Sequence, residues 1–234
     1  MDSGNSSPPL SVFSPAERRV IRSLSTPSRV QKYLNDLPYN DELAGETLRS
    51  FRGVLQHGTV HCLEAALFAA VVLEQRAFPP LVLSFESIDK LEHVIFVYRQ
   101  AGRWGSIARS RDPGLHGRKP VFANPRALAK SYCDPYVDQT GCVTAFAVVD
   151  LGRELIGYDW RLSEKNMWKV EQFLIDYPHD PLPINKVRVK KLRARYKAFS
   201  LAYPDRKPLR YLGRETWTPL PSEFTVPDYD VDWV

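Results

Sequence analysis

Cysteine is scarce here. Three in 234 residues is an odd number and builds no disulfide framework, which suits a reducing compartment and a cytoplasmic protein. Cys133 and Cys142 have no nearby histidine and no Cys or His cluster has ligand spacing, so no metal is expected. A glycine-rich phosphate loop is also missing, and with it any reason to expect a nucleotide or other cofactor. The longest apolar stretch, Leu63 to Leu73, carries Glu64 and is too short to span a bilayer. Met1 to Pro15 is Ser/Pro/Gly-rich, without the basic and apolar blocks of a signal peptide. No internal repeat and no domain boundary is visible.

What is present suits a folded α+β protein. A hydrophobic fraction of 44% supports a substantial core, and the net charge of +5 is mild. Residues 1–14 read as a flexible lead-in, 15–202 as a single domain, and 203–234, with five prolines, as a surface wrap. Ser14-Pro15 and Thr26-Pro27 are helix-start signals, the second helix ending near Asn35 to Pro38. Leu48 to Gln56 is ambiguous. Cys62 to Glu74 is apolar nearly all round, the pattern of a buried helix. Strands follow at Leu81–Phe85, His93–Arg99 and Trp104–Arg109, the last two flanking a hairpin turn at Gln100 to Arg103. Asp112 to Arg118 reads as a loop, Pro125–Tyr132 as a helix, Val143–Val149 as a strand and Ser163–Asp176 as a helix.

The chemistry concentrates on Cys62. A thiol in the first turn of a buried helix meets unpaired amides and a partial positive charge, which favour the thiolate. The same amides can bind a developing oxyanion. Gly58 lets a tight loop deliver the chain into that helix. As a structural residue, Cys62 would be a small piece of core. Among five histidines, His93 is the best base because it opens the apolar run His-Val-Ile-Phe-Val-Tyr. His61 adjoins Cys62, but neighbouring helical residues diverge by about 100° on the helix wheel. His57 and His116 fall in loops within reach, and His179 is a turn residue. With the turn centred on Ala101-Gly102, cross-strand partners sum to about 203, which sets His93 opposite Ser110 and Asp112 on the diagonal. A carboxylate there would orient the imidazole. Asp89, four residues before His93, is the alternative, and Asp112 can equally be a capping residue before Pro113.

Three segments together, Gly58-Thr-Val-His-Cys62-Leu-Glu-Ala-Ala, Glu92-His93-Val-Ile-Phe and Gly105-Ser-Ile-Ala-Arg-Ser-Arg-Asp112, resemble the transglutaminase-like superfamily of papain-fold cysteine enzymes, over roughly residues 50–120. Small bacterial members with a Trp-Gly-Ser-Ile strand are the nearer likeness. The resemblance implies a central helix starting at the cysteine and packed on an antiparallel sheet. It also implies Cys62 as nucleophile, His93 as base and Asp112 as orienting group, acting on a protein, a peptide or a small amide. The third position departs from the pattern, where related sequences often carry Asn or a shifted acid. Gln56, six residues before Cys62, has the spacing of the oxyanion glutamine of papain-like proteases, and is equally read as a surface residue.

Lys186 to Lys197 holds seven basic residues in twelve, and Glu223, Asp228, Asp230 and Asp232 follow in the tail. The basic run is expected to be a solvated face rather than a nucleic-acid surface, with no membrane involved. Two function classes stay open: a cysteine enzyme passing a thioacyl intermediate to water or to an amine, and an inactive scaffold of the same fold that binds a protein or nucleic acid.

Overall fold

The computed structural model describes residues 7–208, 214–218 and 220. Its helices are α1 (Pro15–Ser23), α2 (Pro27–Asp36), α3 (Phe51–His57), α4 (Cys62–Glu74), α5 (Pro125–Cys133), α6 (Leu151–Glu154), α7 (Trp168–Asp176) and α8 (Lys186–Ala202). Its strands are β1 (Leu81–Ser87), β2 (His93–Gln100), β3 (Arg103–Ile107), β4 (Arg118–Phe122), β5 (Val143–Asp150) and β6 (Asp180–Pro181). They form one antiparallel sheet in the order β4-β3-β2-β1-β5-β6. The protein is thus α+β, with eight helices and six antiparallel strands among the described residues.

Local chemistry sets the helix ends. Ser14 caps α1 through a capping box with Glu17, whose carboxylate is also gripped by Arg52. Thr26, Ser50 and Asn124 cap α2, α3 and α5. The Ser50 cap resolves the ambiguous stretch after Leu48 into α3. The β2–β3 hairpin turns through Ala101 and Gly102, both at positive φ (47° and 77°), and its register sums to 203 as the sequence implied.

α4 runs along one face of the sheet beneath α2 and α3, and every residue from Leu63 to Glu74 is buried. Apart from its two glutamates it is aliphatic and aromatic, so it has no face to offer water. Glu74, near its C-terminal end, is neutralised by two parallel hydrogen bonds from Arg161 (2.8 and 2.9 Å). A second core, on the opposite face, gathers Leu83, Phe85, Ile95 and Val97 against Leu128 and Tyr132 of α5.

Several expectations change. Residues 7–14 are not a free lead-in: Leu10–Val12 form a short 3-10 turn, and Phe13 is buried edge-on against Phe51 at 5.9 Å. The stretch expected as a loop up to Arg118 contains a 3-10 turn at Pro113–Leu115 and ends at the start of β4. α7 begins at Trp168, five residues later than its polar lead suggested. Of the C-terminal wrap, Trp217 is buried and bridges Arg118, while 209–213, 219 and 221–234 lie outside the described residues.

The Pro113–Leu115 turn is held by Arg118, which is fully buried. Its guanidinium donates to the Gly114 and His116 carbonyls (2.6 Å each) and to Ser131, and stacks between the Tyr132 and Trp217 rings (4.1 and 4.9 Å). His116, also fully buried, donates from Nε2 to the Ser110 carbonyl at 2.9 Å, so it is part of this frame rather than a site residue. Burial first, then the neighbouring Arg109 charge, pushes His116 down to about 3. The unfolded chain therefore binds a proton there below about 6.5 that the folded chain refuses until about 3, and stability falls as pH drops across that window. Replacing His116→Gln should remove about 1.4 kcal/mol per pH unit from the acid slope of unfolding free energy, read by urea titrations from pH 6.5 to 4. An unchanged slope would rule out the buried neutral imidazole.

Candidate active site

α3 ends at Gly58 in the left-handed conformation (φ +68°), which reverses the chain toward α4. Val60, fully buried, makes a parallel bridge with Tyr39, and His61 follows as the N-cap of α4 in extended conformation. Cys62 is the first helical residue. Glu64, at the third position, has no exposed surface and collects the chain around it. Its carboxylate accepts from the backbone N–H of His61 (3.0 Å) and of Arg49 (3.0 Å), from Thr47 Oγ1 (3.2 Å) and from Asn40 Nδ2 (3.2 Å).

Cys62 shares the wall of one cavity with His93 and of another with His61, and both imidazoles act on its thiol. Burial alone would raise its pKa; the two rings and their charge override this and hold it well below the ordinary thiol value. His61 responds in the opposite sense: burial disfavours its charge, but Cys62, Glu64 and the Thr47 carbonyl raise it to about 9. Its Nε2 donates to Thr47 O at 2.8 Å and lies 3.5 Å from the Glu64 carboxylate. The helix-wheel argument against His61 fails because an N-cap lacks helical φ and ψ, so its ring is not turned about 100° away from the thiol.

His93 is the first residue of β2, buried, and stacked on Phe85 (6.1 Å, 8° between planes). Its Nε2 lies 3.0 Å from the Leu115 carbonyl, which can only accept, so Nε2 carries hydrogen and Nδ1 is the nitrogen left for Cys62. Asp112 does not hold this ring. β3 stops pairing at Phe96↔Ile107, before the ladder reaches His93, and the chain folds over as the 3-10 turn that presents Leu115. Asp112 lines the same cavity, with its carboxylate in an ion pair with Lys207 Nζ at 2.9 Å. Asp89 lines it too, but accepts from Ser87 and from Thr140 Oγ1. Gln56 is exposed on α3 and lines neither cavity at Cys62.

Cys62 sits between two cavities that share Tyr39, Leu91 and Glu92. One, of about 150 Å³, is bounded by His93, Asp112, Leu115, Tyr136 and Tyr196. The other, of about 370 Å³, runs past His61 to Trp168 and carries Glu42, Glu46 and Glu171 besides Glu92. Burial, then the charges of Glu171, Glu86 and Cys62, push Glu92 up to about 7. Tyr39 is shifted up by burial and then by the charge on Cys62, so its phenol keeps its proton beside the thiolate. A third cavity, of about 520 Å³, lies under α8, and Cys62, His61 and His93 are not in its wall.

Glu64, Tyr39 and Glu92 were given no role from the sequence, and His61 was weighed as a base and set aside. Glu64 had a usable signal, since a carboxylate at the third position of an otherwise apolar helix is the far half of a capping box. Tyr39 and Glu171 reach the site from distant segments and had none.

With His61 and His93 intact, the Cys62 alkylation rate should level off at a lower pH than that of an ordinary thiol, since the two imidazoles lower its pKa. Cys133, raised to about 11 by burial and then by Asp134, should react far more slowly. Either His61→Ala or His93→Ala should move the Cys62 profile toward higher pH in iodoacetamide rates read by peptide mass mapping. A profile indifferent to both substitutions would exclude the double-imidazole pairing. Glu64→Ala, which strips a partner from four buried or half-buried donors, should cost about 2–4 kcal/mol of stability in chemical denaturation.

No known family profile and no curated protein matches the sequence. Among solved structures, the chain is similar to LapG of Legionella pneumophila, at 11% identity over 79% of this chain and 93% of that one, with a TM-score of 0.37. The EGTA-treated form of the same protein gives 11% identity, 58% and 76% coverage, and a TM-score of 0.35.

Proposed function

We propose that the protein is a cysteine hydrolase of transglutaminase-like type that opens amide bonds in a peptide or protein chain through a thioester on Cys62. The observation that carries this is a thiol at the first position of a buried helix, placed between the cavities of His61 and His93, whose two imidazoles hold it well below the ordinary thiol value. Core packing explains none of it, since a buried structural cysteine has its pKa raised, as Cys133 and Cys142 do.

In this reading the Cys62 thiolate attacks the amide carbonyl, and the carbonyl π electrons move onto oxygen. The α4 N-terminal amides, and the phenol of Tyr39, face the oxyanion. His93, held through Nε2 by Leu115, returns a proton from Nδ1 to the leaving amine as the C–N bond breaks. The thioester then meets water, whose proton passes to His93, and the thiolate leaves with the acid product formed. An amine in place of the water would make the same step an acyl transfer. His61, anchored on Thr47 and Glu64, holds positive charge beside the thiolate throughout.

The two flanking cavities suit a chain-like substrate crossing Cys62, with residues placed on either side of the scissile bond. The catalytic reading separates from the scaffold reading by covalent trapping. A peptide vinyl sulfone or other activated electrophile with a peptide recognition arm should label Cys62 at least a hundredfold faster than it labels the other two thiols. Cys62→Ser should abolish labelling without lowering the melting temperature by more than about 5 °C. Slow, unselective labelling of all three cysteines would leave the scaffold reading standing instead.

A further inference from the structure

The basic segment turns out to be one wall of a cavity rather than a plain solvated face. Lys186, Val189, Lys190, Arg193, Ala194 and Lys197 recur along α8 at spacings of three and four residues, and so share one side of the helix. With Ile88, Cys142 and Ile184 they enclose the 520 Å³ groove, a volume within the ordinary range for small-molecule sites. Between the cationic heads the wall is isoleucine, valine, alanine, thiol and the methylene stems of the lysines. Ile88 and Ile184 stay substantially exposed (52% and 39%).

The four cations are not equivalent. Arg193 is spent on the fold: it donates to the carbonyls of Asp138, Thr140 and Gly141. Lys186, Lys190 and Lys197 make no ion pair or hydrogen bond among the described residues, although Arg188 on the adjacent face pairs with Asp134. An apolar trough edged by three unspent ammonium groups is complementary to an apolar chain with an anionic head. A peptide strand suits it poorly, because each residue would bring an N–H and a C=O to a wall with almost nothing to bond them. A polymethylene chain brings no such groups. From Lys186 to Lys197 the helix advances by about 16 Å, a length that a medium-chain acyl group spans when extended.

We propose that this groove binds a free fatty acid, the acyl chain lying along α8 and the carboxylate on the lysine rim. The site is independent of the Cys62 chemistry and stands or falls without it. Isothermal titration of the whole protein with dodecanoate, below its micelle concentration, should show saturable one-to-one binding that weakens as salt screens the lysines. Dodecanol and dodecyltrimethylammonium should bind at least tenfold more weakly. The double change Lys190→Glu with Lys197→Glu, on solvated positions, should weaken dodecanoate at least tenfold while leaving the melting temperature in place. Val189→Arg, which fills the trough, should abolish it. Equal affinity for dodecanol and dodecanoate, or no loss in the lysine variant, would overturn the proposal. So would retention on anionic vesicles in the absence of dodecanoate binding, or a peptide of residues 221–234 binding at the lysine rim where dodecanoate does not.

Discussion

The buried carboxylate of Glu64 is the interaction on which the arrangement at Cys62 depends. A carboxylate with no exposed surface is tolerated only where hydrogen bonds replace its water, and here four donors from three separate stretches of chain do so. Asn40 lies just beyond Tyr39; Thr47 and Arg49 lead into α3; His61 caps α4. Each of these segments lacks regular structure, so packing alone would leave its path weakly specified. Converging on one carboxylate fixes them together. The Thr47 carbonyl that receives His61 is placed by the same knot. The carboxylate therefore orients the cap, and the cap meets the thiol.

On the other side of the thiol the organising charge is a cation. Arg118 binds the carbonyls on either side of Leu115 and so fixes the carbonyl that receives His93. A neutral oxygen can set the tautomer and direction of an imidazole, but it stabilises the charged ring less than a carboxylate would. In the proposed chemistry that deficit is offset locally, because the thiolate itself is the counter-ion of the imidazolium. His61, drawn to about 9 by Cys62 and Glu64 against the cost of its burial, keeps a positive charge available whichever protonation state His93 passes through. A site with two imidazoles and no acid on the second is thus electrostatically self-consistent.

Much of the fold was legible because it rests on local rules. The all-round apolar Cys62–Glu74 helix, the capped starts of α1 and α2, and the 101–102 turn with its register all follow from residue type and spacing. The position of Cys62 and of His93 at the starts of their elements was legible for the same reason. What failed was extrapolation past the end of an element. The register that put Asp112 beside His93 is correct wherever β3 exists, and β3 ends at Ile107. The wheel that turned His61 away is correct for helical residues, and His61 is a cap. β4 could not be read because it pairs weakly with β3 across a register shift and carries Pro120.

The displaced acid shows how the C-terminal part of the chain bears on the cleft. Asp112 faces the cavity of His93, yet its carboxylate is paired with Lys207, five residues past the end of α8, while Tyr196 of α8 lines the same cavity. α8 therefore has one face toward the Cys62 cleft and another toward the lysine-edged groove, with Tyr196 between Arg193 and Lys197 in sequence. Leu192 packs with Cys142 and Val137, Phe199 is buried, Arg188 pairs with Asp134, and the Arg193 guanidinium is bound by three carbonyls. The Asp112–Lys207 pair is half-exposed, and such a pair contributes no more than about 1 kcal/mol. The walls built on Glu64 and Arg118 rest instead on several buried hydrogen bonds each.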